Sequence, residues 1–124
     1  MDEKPIPILL VEDEPDLREA LGEYLDACGF EVIFAGTAKE ALEAAEHHQP
    51  RLILSDLSLP DRRGEAFLEE FHQRHPDCRL YVHSGDSSFT PPASLKACGL
   101  TQDHVFYKPT DLSELVKKLY SDLL

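Results

Sequence analysis

The stretch RLILSD, residues 51–56, carries an apolar run directly into a carboxylate. A short apolar run bounded by Pro50 is typical of a strand buried on both faces, as strands of parallel sheets are. The sequence therefore predicts a buried β-strand over residues 51–56, with Asp56 delivered at its carboxyl end. Asp56 is therefore the first candidate for a chemically active residue.

Strand-like and helical patterns alternate on both sides of this stretch. Four more strands are predicted at 6–11, 30–35, 79–84 and 104–107, and helices at 14–28, 37–48, 64–75, 92–98 and 111–123. Strands that alternate with helices imply parallel βαβ units with right-handed crossovers. We therefore predict an α/β fold, a five-stranded doubly wound parallel sheet of flavodoxin-like order 2-1-3-4-5. One (βα)5 domain is expected over residues 1–124, with no second domain.

Local signals support several of these boundaries. Pro15 suits the first turn of a helix, and Gly29 is typical of the left-handed residue that follows a helix. Thr37 and Glu40 have the spacing of a capping box. Residues 85–92 combine one glycine and one aspartate with three serine or threonine residues and two prolines, so we expect a mobile loop there.

Composition excludes several functions. The 124 residues are 42% hydrophobic, as in ordinary globular domains, and carry a net charge of −12. So acidic a chain is a poor match for nucleic acid or for an anionic membrane surface. The start of the chain has no apolar signal segment, and three widely spaced cysteines favour reduced thiols over disulfides or zinc. We expect a cytoplasmic protein.

Five chemically suitable side chains stand at the predicted strand ends. Glu12 and Asp13 follow the first strand, Asp56 ends the third, Ser84 ends the fourth and Lys108 follows the fifth. In open α/β sheets, ligands bind beyond the carboxyl ends of the strands. These residues are therefore expected to converge at one edge of the sheet.

The chemistry of this set is coherent. Three carboxylates that lie close together need a cation, and hard oxygen ligands suit Mg²⁺. The backbone carbonyl of Ser58 could add a further ligand. Asp56 is then a nucleophile of the kind that forms an aspartyl-phosphate, with Lys108 neutralising the phosphoryl oxygens. Ser84 could donate a hydrogen bond to the attached phosphoryl group.

Each member of the set also has an ordinary structural interpretation. Asp13 could simply cap the following helix, Ser84 could be a turn residue, and Lys108 could be a solvated charge. Together, however, they come from segments far apart in the sequence. Their joint occurrence is much more specific than any one of them.

The chain resembles the receiver domains of two-component response regulators. The resemblance runs from about Ile6 to Leu124, and is carried by residues 11–15 (VEDEP), 54–60 (LSDLSLP), 82–85 (VHSG) and 107–109 (YKP). It implies that Asp13 binds Mg²⁺ directly, with Mn²⁺ able to substitute, and that Glu12 acts through water. It implies that Asp56 accepts phosphate, that Ser84 is the switch hydroxyl and that Lys108 is the invariant lysine.

The resemblance also implies partners. A histidine kinase or a histidine phosphotransfer protein is expected as donor, and a downstream protein or attached domain as target. The chain is expected to be a monomer or a phosphorylation-dependent dimer. The output face is expected to comprise the fourth helix, fifth strand and fifth helix. No direct nucleic-acid or membrane contact is expected.

Two positions depart from the family pattern. The aromatic switch residue usually stands three positions before the lysine, where this chain has Val105; Phe106 follows it. Whether Phe106 takes over that role is left open by the sequence. The residue before Gly64 is often Asp in the family and is Arg63 here.

Two other functions fit parts of the pattern. A haloacid-dehalogenase-type phosphatase also uses an aspartyl nucleophile, but needs a second Asp two residues later, where this chain has Ser58. A receiver-like domain that signals without phosphorylation is the other alternative. Phosphate-ester turnover would indicate the first, and failure to bind Mg²⁺ or a phosphoryl mimic would indicate the second.

Overall fold

Five strands and five α-helices alternate along the chain in the computed structural model, which describes residues 4–124. The strands are β1 (Ile6–Val11), β2 (Phe30–Ala35), β3 (Leu52–Ser55), β4 (Arg79–Ser84) and β5 (Val105–Tyr107). The helices are α1 (Pro15–Ala27), α2 (Ala38–His48), α3 (Gly64–Arg74), α4 (Ala93–Ala97) and α5 (Leu112–Leu123). Within residues 4–124, none of these helices has both the length and the apolar character needed to cross a membrane.

The strands form one parallel sheet in the order β2-β1-β3-β4-β5, which confirms the predicted topology. In the centre, Leu10 lies opposite Phe34 on one side and Leu54 on the other. The strand order reverses between β1 and β3. The carboxyl ends of these two strands therefore lie side by side where a doubly wound sheet opens a crevice.

Alternation along the strands creates two hydrophobic cores, one on each face of the sheet. Leu9 and Val11 point into the core shared with α2, α3 and α4, which we call the first core. Ile8 and Leu10 point into the second core, shared with α1 and α5. Because successive strand residues face opposite sides, every strand of this sheet serves both cores.

The predicted helix signals act largely as expected. Pro15 is the first residue of α1, and Gly29 follows the helix with a φ of 97°. The Thr37 hydroxyl accepts a hydrogen bond from the Glu40 backbone N–H at 3.0 Å. The Thr37 hydroxyl in turn donates to the Glu40 carboxylate at 3.3 Å. In a full capping box that carboxylate accepts from the Thr37 backbone N–H, so only half of the predicted box forms.

Some predicted boundaries are wrong. Asp56 lies just beyond β3 rather than within it, and Arg51 precedes that strand. His104 belongs to a 3₁₀ turn, Gln102–His104, instead of β5. Its backbone N–H donates to the Thr101 carbonyl at 3.0 Å, which forms the turn, and its ring accepts from the Thr101 backbone N–H at 3.4 Å. The helix predictions at 14–28, 64–75 and 92–98 are each too long because they include flanking residues.

Candidate functional site

Three carboxylates meet at the carboxyl ends of β1 and β3. Oxygen atoms of Glu12, Asp13 and Asp56 all lie within 4.8 Å of one another. The backbone holds two of them: Glu12 N–H donates to Ala35 at 3.0 Å, and Asp56 N–H donates to Val11 at 2.9 Å. Glu12 and Asp56 are 2% and 6% exposed, whereas Asp13 is exposed. The predicted acidic cluster therefore forms, with one member open to solvent.

Lys108 brings a single positive charge to this cluster. Its ammonium donates to Asp56 Oδ2 at 2.8 Å and to Glu12 Oε1 at 3.0 Å. Its backbone N–H donates to the Ser84 carbonyl at 2.7 Å, which ties the residue after β5 to the end of β4. Three carboxylates and one ammonium leave two uncompensated negative charges when all are ionised. A divalent cation would balance that remainder.

Burial and pairing shift the pKa values of two of these groups. Burial raises the pKa of Glu12, because the charged carboxylate loses its hydration. Burial alone would lower the pKa of Lys108, but hydrogen bonds and charge from Asp56 and Glu12 outweigh it and raise that pKa. Lys108 is therefore a fully charged ammonium near neutral pH, and its charge helps to keep Glu12 ionised.

The loop after Asp56 closes tightly on itself. Ser58 N–H donates to Asp56 Oδ1 at 2.9 Å, and Gly64 N–H donates to the Leu57 carbonyl at 3.1 Å. A Cβ atom on Gly64 would lie 2.5 Å from the Leu57 Cα. Glycine is therefore required at residue 64 for the ends of this loop to approach so closely.

The tip of the same loop is anchored to α2 by Asp61. Its two carboxylate oxygens accept from the backbone N–H groups of Ala38 and Lys39, at 2.9 and 3.0 Å. These bonds, the one to Ala38 above all, lower the pKa of Asp61. They satisfy two of the N–H groups that the first turn of a helix leaves without internal partners. Sequence analysis missed this anchor because its partners lie more than twenty residues away.

Ser84 stands at the end of β4 and is 3% exposed. Its Oγ accepts a hydrogen bond from the Asp86 backbone N–H at 3.0 Å, which leaves the hydroxyl proton available to donate. A pocket of about 330 Å³ separates Ser84 and Phe89 from the loop that carries Ser58. The predicted switch hydroxyl therefore lies beside the loop that follows Asp56.

Strand β5 resolves the aromatic position that the sequence left open. Val105 and Tyr107 pack on the first core, whereas Phe106 packs on the second core, where its ring lies 6.2 Å from that of Tyr81. The Tyr107 hydroxyl donates to the Phe89 carbonyl at 2.6 Å. Phe106 therefore faces away from the β4–α4 loop, and Tyr107 is the aromatic residue bound to it. Alternation along β5 could have indicated this.

Comparisons with known proteins agree with this geometry. The model of the response regulator receiver domain matches residues 8–120. Response regulator Rre1 from Synechocystis is 35% identical over 82% of this chain and 40% of the relative. The probable transcriptional regulatory protein TcrX from Mycobacterium tuberculosis is 30% identical over 95% of this chain and 50% of the relative. The chain thus spans half or less of the length of these relatives.

A solved structure shows the same architecture. The CheY-like response regulator receiver domain protein from Methanospirillum hungatei superimposes with a TM-score of 0.87 at 28% identity. That match covers 97% of this chain and 94% of the other. The family model spans nearly all of the described residues, and it is not that of a dehalogenase-type phosphatase. The chain therefore belongs to the response regulator receiver domain family, the phosphoacceptor modules of two-component signalling.

Proposed function

We propose that Asp56 is the residue that accepts the phosphoryl group. The observation that carries this proposal is the convergence of Asp56 with Glu12, Asp13 and Lys108 at one edge of the sheet. Asp56 follows β3, which is buried along its whole length, and its Oδ2 lies 2.8 Å from the ammonium, closer than the 3.0 Å of Glu12 Oε1. The donor we infer is a phosphohistidine of a histidine kinase or of a phosphotransfer protein.

In the proposed step, a carboxylate oxygen of Asp56 attacks the phosphorus atom. The bond from phosphorus to the histidine nitrogen breaks, and that nitrogen keeps the electron pair. Lys108 lies 2.8 Å from Asp56 Oδ2 and is placed to offset negative charge on the transferred oxygens. Ser58 N–H, 2.9 Å from Asp56 Oδ1, orients the carboxylate.

The donor set fits Mg²⁺, with Mn²⁺ as an alternative ion. Asp13, Asp56 and the Ser58 carbonyl would be direct ligands, and Glu12 would act through a water molecule. All are hard oxygen donors, and the two uncompensated negative charges of the cluster match a divalent cation. Bound Mg²⁺ would neutralise charge on the phosphoryl oxygens.

Ser84 and Tyr107 provide a path from Asp56 to the output face. An attached phosphoryl group brings acceptor oxygens towards which the Ser84 proton can turn. The hydrogen bond from the Asp86 N–H to the Ser84 hydroxyl would then rearrange. The β4–α4 loop, which Tyr107 binds at the Phe89 carbonyl, would move with it. We infer that this loop transmits the signal to α4, β5 and α5, where a downstream protein or attached domain would bind.

The test is intact-mass spectrometry after incubation with acetyl phosphate and Mg²⁺, with Asp56→Asn as control. We expect one added phosphoryl group on the wild type and none on the variant. Stable labelling of Asp56→Asn at another carboxylate would contradict the assignment. If the wild type shows no adduct, beryllofluoride binding distinguishes rapid hydrolysis from an inactive site.

A further inference from the structure

His83 is a buried polar residue that the proposed reaction does not use. It precedes Ser84 in β4 and is 3% exposed. Successive strand residues face opposite sides, so His83 lies on the second-core face while Ser84 lies on the first-core face. There His83 borders a groove of about 540 Å³, together with Leu21 of α1 and the turn after Lys108.

A chain of two hydrogen bonds joins His83 to that turn. The Thr110 hydroxyl donates to the Tyr107 carbonyl at 2.7 Å, and His83 Nε2 lies 3.0 Å from the same hydroxyl oxygen. A hydroxyl has one proton to donate, and here Tyr107 receives it. His83 Nε2 must therefore carry a proton and donate to Thr110, which fixes the neutral tautomer of the ring.

The other ring nitrogen of His83 has no partner among the described residues. Nδ1 is buried and accepts no hydrogen bond. Burial lowers the pKa of His83 to about 4, so the ring stays neutral near pH 7. A buried polar atom without a partner is costly, and an apolar side chain would avoid that cost. The bond to Thr110 is what distinguishes His83 from an apolar residue at this position.

The bond from His83 to Thr110 and the bond from Lys108 to Ser84 lie on either side of the Lys108 side chain along the chain. The Lys108 backbone N–H is held by the Ser84 carbonyl at 2.7 Å, and Thr110, two residues later, is held by His83. Two consecutive residues of β4 thus anchor the turn before and after the lysine. We propose that His83 is a positioning residue for Lys108, acting through Thr110 to aim the ammonium at Asp56. This inference rests on the proposed function.

Three variants test the role of the bond. His83→Leu removes the donor, His83→Gln places an amide N–H near the position of Nε2, and Thr110→Val removes the acceptor. We expect His83→Leu and Thr110→Val each to slow labelling by acetyl phosphate roughly tenfold, as a small misplacement of a reacting group does. His83→Gln should restore much of the rate, and the double variant should be no slower than either single one.

Tyr81→Phe is the matched control. Tyr81 lies two residues earlier on the same face, is fully buried and donates to Asp122 at 2.7 Å, outside the path to Lys108. It should lose stability but keep its labelling rate at saturating Mg²⁺. Affinity for Mg²⁺, measured by calorimetry, should not weaken in His83→Leu, because the bond holds the lysine and not the carboxylates that would bind the metal. Equal slowing in Tyr81→Phe would overturn the positioning role.

A second measurement does not depend on phosphorylation. The NMR signal of the Lys108 side-chain ammonium should be sharp in the wild type and in Tyr81→Phe, and shifted or exchange-broadened in His83→Leu. An unchanged signal in His83→Leu overturns the inference, whether or not the wild type is labelled. A wild type that takes no label but shows this change would contradict the proposed function alone.

Discussion

The Lys108 ammonium lies 3.0 Å from Glu12 Oε1, although the two residues are 96 positions apart in the chain. The same ammonium bonds to Asp56, so one cation partly neutralises two buried carboxylates. This arrangement makes Lys108 a competitor of any metal ion for negative charge, as well as an aid to phosphoryl transfer. The two roles predict opposite effects of removing it.

Lys108→Met should therefore bind Mg²⁺ more tightly and react more slowly. The cluster gains one uncompensated negative charge, which attracts the metal, but loses the group that offsets charge on the phosphoryl oxygens. We expect labelling by acetyl phosphate to fall about 100-fold, as when one preorganised donor is removed from an active site. Calorimetry with Mg²⁺ and timed mass spectrometry check the two effects. Lys117→Met, at an exposed position of α5, is the control; weaker Mg²⁺ binding by Lys108→Met would contradict this account.

His83 should make stability depend on pH. Its pKa falls from 6.5 in the unfolded chain to about 4 in the fold, so the unfolded chain binds the extra proton between these values. The part of the stability that depends on neutral His83 is fully present above pH 6.5 and is lost as the pH falls towards 4. Between pH 7 and pH 5 the loss from this group should be about 2 kcal/mol. Urea unfolding at a series of pH values should show that the free energy of unfolding of His83→Gln falls by about 2 kcal/mol less than that of the wild type over this range. Equal pH dependence of the unfolding free energy in both proteins would refute the prediction.

Tyr107→Phe should loosen the β4–α4 loop without blocking phosphorylation. The variant keeps the ring on the first core but loses the hydroxyl, which donates to the Phe89 carbonyl and accepts a hydrogen bond from the Gln102 side chain. Amide hydrogen exchange of residues 85–89 should become roughly tenfold faster, as expected from the loss of about 1.4 kcal/mol of local stability, at the upper end for one hydrogen bond. Tyr24→Phe on α1 is the control. Exchange that stays the same in this loop would show that Tyr107 does not restrain it.

Gly64→Ala should damage both stability and metal binding. Its Cβ would lie 2.5 Å from the Leu57 Cα and 2.7 Å from the Leu57 carbonyl oxygen, which are backbone atoms that cannot swing aside. We expect the free energy of unfolding to fall by about 1–3 kcal/mol. Mg²⁺ affinity should also weaken, because the loop that carries Ser58 must shift.

Gly85→Ala is a close control for this substitution. A Cβ on Gly85 would meet no atom within 4 Å, and no left-handed backbone is required there. Thermal unfolding and calorimetry should therefore place Gly85→Ala near the wild type. Equal effects of the two substitutions would mean that the close approach at Leu57 is not what makes glycine necessary at residue 64.

Strand order and the convergence of the acidic cluster were predictable because they depend on regular alternation. Buried strands separated by helices leave few topologies, and parallel strands bring their carboxyl ends to one edge. The contacts of Asp61, His83 and Tyr107 were not predictable in the same way. Each depends on which side chain meets which backbone or hydroxyl group across 18 to 27 residues. The prediction at His104 was wrong because its backbone N–H and its ring both bond locally to Thr101, so the chain turns where the pattern indicates a strand.

The attachment of Tyr107 to the loop also gives the chain a built-in optical reporter. The protein has four tyrosines and no tryptophan, so no indole emission masks the phenol signal. A phenol that donates to a carbonyl differs in absorbance and fluorescence from one that faces water. Breaking the bond between Tyr107 and Phe89 should therefore change the ultraviolet spectrum, and the difference from Tyr107→Phe isolates that contribution. Movement of the loop can then be followed in real time without any attached dye.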